Sequence, residues 1–192
     1  QELLGHEASP LELVWSPADD WLVSSDAEGD IRLWRLDGTQ PHRQPPAVHA
    51  SWAQAFSPDG RLLAWGEESG AVHLAPVDDL DGGLLLEGQL DYVRSLAFSP
   101  DGAVLASGSA DGTVFLWSVQ GEQLRVLGPH NARINSLEFT PDGRGLLAAA
   151  DNQRLILWDV ERGELTWSQP IHCGWWITGA LSPDGTHAAA FG

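Results

Sequence analysis

The sequence predicts an all-β fold assembled from repeated four-stranded antiparallel units. Three observations carry that prediction. A turn element recurs almost unchanged, as "FSPDG" from Phe56 and from Phe98, "FTPDG" from Phe139 and "LSPDG" from Leu181. Its prolines, Pro17, Pro58, Pro100, Pro141 and Pro183, are spaced 41 or 42 residues apart. Trp34, Trp117 and Trp158 each follow their turn proline by 17 residues, and Ala75 holds that slot in the second repeat. Two independent markers keeping one period identify a repeat architecture.

The elements of one unit are clearest in the third repeat. "YVRSLAFS" alternates apolar and polar residues with period two, as a half-buried strand does. "PDG" is a turn in which Pro presets φ, Asp bonds locally and Gly accepts a positive φ. "AVLASGS" follows as a second strand, and "ADG" signals a hairpin. "TVFLWSV" is rich in β-branched and aromatic residues and makes a third strand. "GEQ" turns the chain into a fourth, "QLRVLG". The fourth repeat copies the plan with "RINSLEFT", "PDG", "RGLLAAA", "DNQ", "RLILWDV", "ERGE" and "LTWSQ". The repeats fall near residues 6–46, 47–88, 89–129 and 130–171, with a partial unit at 172–192.

Composition agrees with a turn-rich single domain. The 192 residues include 21 Gly, 12 Pro and 10 Trp, and no apolar run reaches the length of a membrane span. Gln1 at the start and the absence of Met mark the chain as trimmed or as a piece of a longer one. The formal net charge of −17 argues against nucleic acid or an anionic membrane as partner, because phosphates need a Lys/Arg surface. It suits solubility or a basic partner. All ten basic residues are Arg, which hints at a GC-rich bacterial genome. The single Cys173 excludes an internal disulfide.

Units of this length, with "LWDV" at 157–160, "LWRL" and "LWSV" in the same slot and Gly5-His6 near the start, resemble the WD-repeat β-propeller family. The resemblance covers nearly the whole chain. It implies a propeller arc of about four and a half blades, in a ring that this chain alone does not close. The last blade would lack the third strand on which the opening strand, Gln1–Leu4, must pair. The family's structural tetrad joins a His, a Ser or Thr, an Asp and the Trp in each blade. His6, His130 and His172 lie 11 residues before their turn prolines, where Gln89 and Ala47 stand in the third and second repeats. The Ser slot holds Ser24, Trp65, Ser107 and Ala148, and the Asp slot holds Glu28, Ser69, Asp111 and Asn152. The first repeat is thus nearly complete, with His6, Ser24, Glu28 and Trp34. The second has lost all four members and is expected to be the least tightly braced.

In such propellers partners dock on the rim where the chain enters the innermost strands. Slots eight and six residues before the turn proline, and one just before the hairpin Asp slot, point there. They hold Ser9, Leu11 and Ala27, then Ala50, Trp52 and Glu68, then Tyr92, Arg94 and Ala110, then Arg133, Asn135 and Asp151, then Trp175 and Ile177. Trp52, Tyr92, Arg94, Arg133, Asn135 and Trp175 are the candidate binding residues, since Trp, Tyr and Arg dominate binding hot spots.

No catalytic residues are assigned. The His, Ser and Asp residues that would suit a triad are explained by the repeated tetrad spacing, and no nucleophile elbow or phosphate-binding glycine loop is present. His172-Cys173 lacks a second ligand pair at zinc spacing, and "DDLDGG" at 78–83 lacks the ligand set of a calcium loop, so neither metal nor cofactor is expected. The expected function is a cytoplasmic protein-protein interaction scaffold. The alternatives are a structural unit that completes a ring with another copy, and the propeller portion of a longer bacterial enzyme or signalling protein. "FSPDGRLLAW" also resembles repeats of propellers attached to hydrolases.

Overall fold

The computed structural model describes residues 5–18, 21–35, 53–172 and 177–192. Among them the chain forms antiparallel strands with one short 3-10 turn, Leu80–Gly82, and no α-helix. The first sheet contains β1 (Pro10–Trp15), β2 (Trp21–Asp26) and β3 (Ile31–Arg35). The second contains β4 (Gln54–Phe56), β5 (Leu62–Gly66), β6 (Val72–Pro76) and β7 (Leu84–Leu86). The third contains β8 (Val93–Phe98), β9 (Val104–Ser109), β10 (Val114–Ser118) and β11 (Gln123–Leu127). The fourth contains β12 (Ile134–Phe139), β13 (Gly145–Ala150), β14 (Arg154–Asp159) and β15 (Glu164–Pro170). The fifth, β16 (Thr178–Leu181) with β17 (Ala188–Phe191), has two strands.

Each sheet is a meander of strands in sequence order, because short turns leave antiparallel neighbours as the only partners within reach. The first strands of successive sheets, β1, β4, β8, β12 and β16, run beside one another around a common axis. The sheets are therefore blades of an unclosed propeller, as the resemblance implies.

The core lies between blades. Val23, Ile31 and Leu33 of the first blade pack with Leu63 and Trp65 of the second. Ala64, Val72 and Leu74 of the second meet Leu105 and Trp117 of the third. Val114 and Leu116 of the third meet Ile134 and Leu146 of the fourth. Leu147 and Leu155 of the fourth meet Ile177. Alternate residues on the second strands of the second, third and fourth blades thus face opposite neighbours, as a sheet buried on both faces requires.

The repeated turn explains why its four residues recur. In "FSPDG" at 56–60 Ser57 Oγ donates to Asp59 Oδ1 at 2.6 Å, and the same oxygen accepts the Arg61 N–H at 3.1 Å. Ser99 with Asp101, Thr140 with Asp142 and Ser182 with Asp184 repeat the 2.6 Å bond. The turn glycines Gly60, Gly102, Gly143 and Gly185 all have φ between 68° and 71°, a conformation that costs other residues steric strain. The turns also touch. A Cβ on Gly102 would lie 3.5 Å from Cδ of Pro58, and one on Gly143 3.6 Å from Cδ of Pro100.

The second blade, which has lost all four tetrad members, fills their slots differently. Trp65 stands in the Ser slot and Ala75 in the Trp slot, so the large side chain has moved from the third strand to the second. Both point into the same buried cluster against the first blade. His73, directly across from Trp65, stacks on its indole at 4.8 Å with rings nearly parallel. Nε2 of His73 in turn meets Glu67 Oε1 at 2.6 Å, and Ser69 Oγ donates to Glu67 Oε2 at 2.7 Å. Trp65, His73 and Glu67 thus form a stacked and hydrogen-bonded set where the tetrad is lost, with the buried Trp65 Nε1–H left without a hydrogen-bond partner.

Candidate functional site

The rim is built by one backbone device repeated in three blades. In the pairing of the first and second strands the register slips between Pro10 and Glu12, between Val93 and Ser95, and between Ile134 and Ser136. The bulged residues are Leu11, Arg94 and Asn135. A bulge leaves its extra residue unpaired and re-aims the side chain. At each bulge one bond joins the strand entrance to the hairpin beyond the second strand. Ala27 N–H donates to Ser9 O, Ala110 N–H to Tyr92 O and Asp151 N–H to Arg133 O, each at 3.0 Å. The three slots that the repeat spacing assigns to the rim are thus brought together in the first, third and fourth blades.

In the third blade the Arg94 guanidinium lies over the Tyr92 ring, 5.6 Å from its centre, and donates to the phenol oxygen at 3.5 Å. This is a cation–π pair. Both side chains are half-buried. In the fourth blade Arg133 is exposed, while Asn135 Nδ2 donates to Asp151 Oδ1. Trp52 and Trp175 lie outside the described residues.

The chains that carry the rim are held from beneath by the tetrad residues, differently in each blade. In the first, Trp34 Nε1–H donates to Ser24 Oγ at 2.8 Å, and Ser24 Oγ lies 2.6 Å from His6 Nε2. His6 Nδ1 meets Asp26 Oδ2 at 3.0 Å. The consistent proton assignment runs Trp34 to Ser24 to His6 to Asp26, every donor pointing the same way. This corrects the placement of Glu28 in the acid position. Asp26 Oδ1 also accepts the backbone N–H groups of Glu28 and Asp30 at 3.0 Å each, which leaves Glu28 exposed at the hairpin tip. Burial opposes ionisation of Asp26, yet bonds from the Asp30 backbone, the His6 ring and the Glu28 backbone together hold its pKa below the usual carboxylate range.

In the third blade Trp117 Nε1–H donates to Ser107 Oγ at 2.9 Å. Gln89 replaces the His and uses its amide on backbone, donating to Ser107 O at 3.0 Å. Asp111 does not reach Gln89's side chain. Its Oδ2 accepts the N–H of Leu90 at 2.8 Å, and its Oδ1 accepts from the Thr113 backbone and hydroxyl. In the fourth blade Ala148 supplies no hydroxyl. Trp158 Nε1–H donates straight to His130 Nε2 at 2.9 Å, and Nδ1 of His130 donates to Gly112 O in the preceding blade at 2.8 Å. Asn152 Nδ2 donates to His130 O at 3.2 Å. Trp34 and Trp117 are buried as the spacing implies, whereas Trp158 is half-buried. His172, assigned to the same slot of the fifth unit, is exposed.

His6, Asp26 and Asp30 place three donor atoms within 4.8 Å of one another, a spacing that could hold a metal. Those groups are engaged already. His6 bonds Ser24 and Asp26, and Arg32 Nε donates to Asp30 Oδ2 at 2.5 Å. The donor atoms of the cluster are thus occupied by hydrogen bonds and by the Arg32 guanidinium.

Four-stranded blades around an axis, braced by Trp, Ser and His across their strands, define a β-propeller repeat protein. The chain belongs to the family described as WD domain, G-beta repeat, whose model matches residues 1–35, 84–118 and 121–159, more than half of it. It is 30% identical over 103 residues to a guanine nucleotide-binding protein subunit beta of Zea mays, over 48% of this chain and 27% of that protein. It is 31% identical over 93 residues to WD repeat-containing protein SL1-17 of Schistosoma mansoni, over 46% of this chain and 30% of that one. Jouberin of Rattus norvegicus is 29% identical over 100 residues, half of this chain and 10% of that protein. The chain therefore spans less than a third of the length of these curated relatives. No helix among the described residues is long and apolar enough to cross a membrane.

Proposed function

We propose that this chain is a non-catalytic interaction scaffold that binds a protein or peptide on its rim. The observation that carries the reading is the repeated bulge, which brings Tyr92, Arg94 and Ala110, and likewise Arg133, Asn135 and Asp151, to one end of adjacent blades. Aromatic and arginine side chains held on a rigid scaffold are the groups that concentrate binding energy. The net charge of −17 favours a partner with basic segments over nucleic acid or an anionic membrane. A cytoplasmic location fits a single cysteine, and the arginine-only basic set fits a bacterial source. The test is affinity selection from a displayed random peptide library, repeated with the double variant Tyr92→Ala, Arg94→Ala. Peptides that bind the parent should lose affinity for the variant while its melting curve shows that it is still folded. Equal binding by a folded variant would overturn the rim assignment.

A specific observation favours assembly as a second reading. Leu13 and Trp15 on β1 are 62% and 60% exposed. The same slots hold Leu137 and Phe139 in the fourth blade, both packed against the third blade and 9% or less exposed. A second copy covering this face would bury it as an internal blade does. Light scattering at micromolar concentration should give a dimer, and Trp15→Asp should give the monomer. A monomeric parent would overturn self-association and leave further blades, as in a longer enzyme or signalling protein, to cover the face.

A further inference from the structure

We infer that the loop Gln89–Tyr92 is a rigid rim anchor that receives an apolar side chain of a peptide flanked by lysine or arginine. This rests on the rim reading above and narrows it to one blade and one partner chemistry. Leu90 is 90% exposed, the most of any large hydrophobic among the described residues. No rim slot in the repeat spacing points to it.

The backbone around Leu90 is fixed from both sides. Its own N–H donates to Asp111 Oδ2 at 2.8 Å. Gln89, just before it, is buried and donates to Ser107 O at 3.0 Å. Ser109 Oγ donates to Asp91 O at 2.9 Å, and Ala110 N–H to Tyr92 O at 3.0 Å. The second blade closes the other flank, where Val93 N–H donates to Glu67 O at 3.0 Å. There a Cβ on Gly70 would lie 2.4 Å from Gln89 O. The side chain of Leu90 is left in water. Ordering a backbone costs about 1–2 kcal/mol per residue, and here folding has already met that cost, so a partner gains the apolar contact without it.

The charges around the loop select the partner. Glu68, Glu87 and Asp91 are exposed, and the Asp111 carboxylate sits against the loop itself. The local cation, Arg94, is laid over the Tyr92 ring. An apolar residue seated on Leu90 therefore brings its neighbours into a negative field, which attracts Lys or Arg and repels Asp or Glu.

The experiment uses the whole chain against a displayed library of random dodecapeptides, with three proteins compared: parent, Leu90→Asp, and Tyr92→Ala with Arg94→Ala. Leu90→Asp should remain folded by its melting curve, since the side chain it replaces is 90% exposed. Peptides enriched by the parent should carry an apolar residue flanked by Lys or Arg, and should bind Leu90→Asp about tenfold more weakly or worse. Peptides indifferent to Leu90→Asp but lost with the double variant would overturn the anchor and leave the rim reading standing. Peptides indifferent to both would overturn both. Enrichment of acidic peptides, or of none, would also overturn the anchor.

Discussion

Trp158 donates its indole N–H directly to Nε2 of His130, with no hydroxyl between them, because the Ser slot of that blade holds Ala148. In the first blade the same two side-chain types are separated by Ser24. Direct contact makes the fourth blade depend on a neutral imidazole, since Nε2 must accept while Nδ1 donates to Gly112 O.

This gives a pH dependence with a definite sign. Burial pulls the His130 pKa below 6.5, although the bond to Gly112 works the other way. A lowered folded value means that the contribution is complete above 6.5 and is lost as pH falls through the folded value. His130→Gln should remove that fall toward acid from a stability profile measured by chemical denaturation from about pH 5 to 7, leaving the opposite slope of Glu12. A variant as pH-sensitive as the parent would contradict the assignment.

Glu12 acts in the opposite direction. Burial raises its carboxyl to about 7, against a weaker lowering bond from the Gln54 backbone, and Oε2 is buried without a hydrogen-bond partner. The folded chain therefore holds a proton that the unfolded chain has released. That contribution is complete below 4.5 and is lost as pH rises to about 7. Glu12→Gln keeps the shape and removes the charge, so its midpoint at pH 8 should exceed that of the parent. Since His130 and Glu12 tilt the same window oppositely, each single variant should be more tilted in one direction than the parent.

Trp117→Ala should destabilise by about 3–5 kcal/mol, as a large-to-small change in a packed core does. Ser107→Ala should cost about 1–3 kcal/mol, because it leaves the buried indole N–H without its acceptor. Urea unfolding of both variants measures the two contributions separately.

Trp65→Ala should also cost about 3–5 kcal/mol, matching Trp117 although it stands on a different strand. His73→Ala should lower stability as well, by removing the ring stacked on Trp65 and the partner of Glu67. A nearly neutral Trp65→Ala would show that the second blade has no replacement brace.

Gly102→Ala should cost about 1–2 kcal/mol through its positive φ alone, since the space beside it is open enough for a methyl group. A thermal melt indistinguishable from the parent would mean that the turn relaxes out of that conformation.

The blade plan was legible in the residues alone, because it rests on local rules. Proline and glycine at a period of 41 or 42 residues place the turns, and period-two alternation places the strands between them. The slots near the strand entrances were legible for the same reason, since one bulge recurs at one offset.

How the slots are filled depends on contacts between strands and blades. Spacing put Glu28 in the acid position, but Asp26 sits where its carboxylate can meet both His6 and the hairpin N–H groups. Spacing found none of the four tetrad members in the second blade; Trp65 and Ala75 face the same gap, and packing asks only that it be filled, from either strand. Leu90 drew no signal because its exposure is decided by bonds from neighbouring hairpins that hold the loop outward. Sequence period reports what each residue's own backbone must do; which side chain meets which depends on the neighbouring blade, and that contact exists only once the chain has folded.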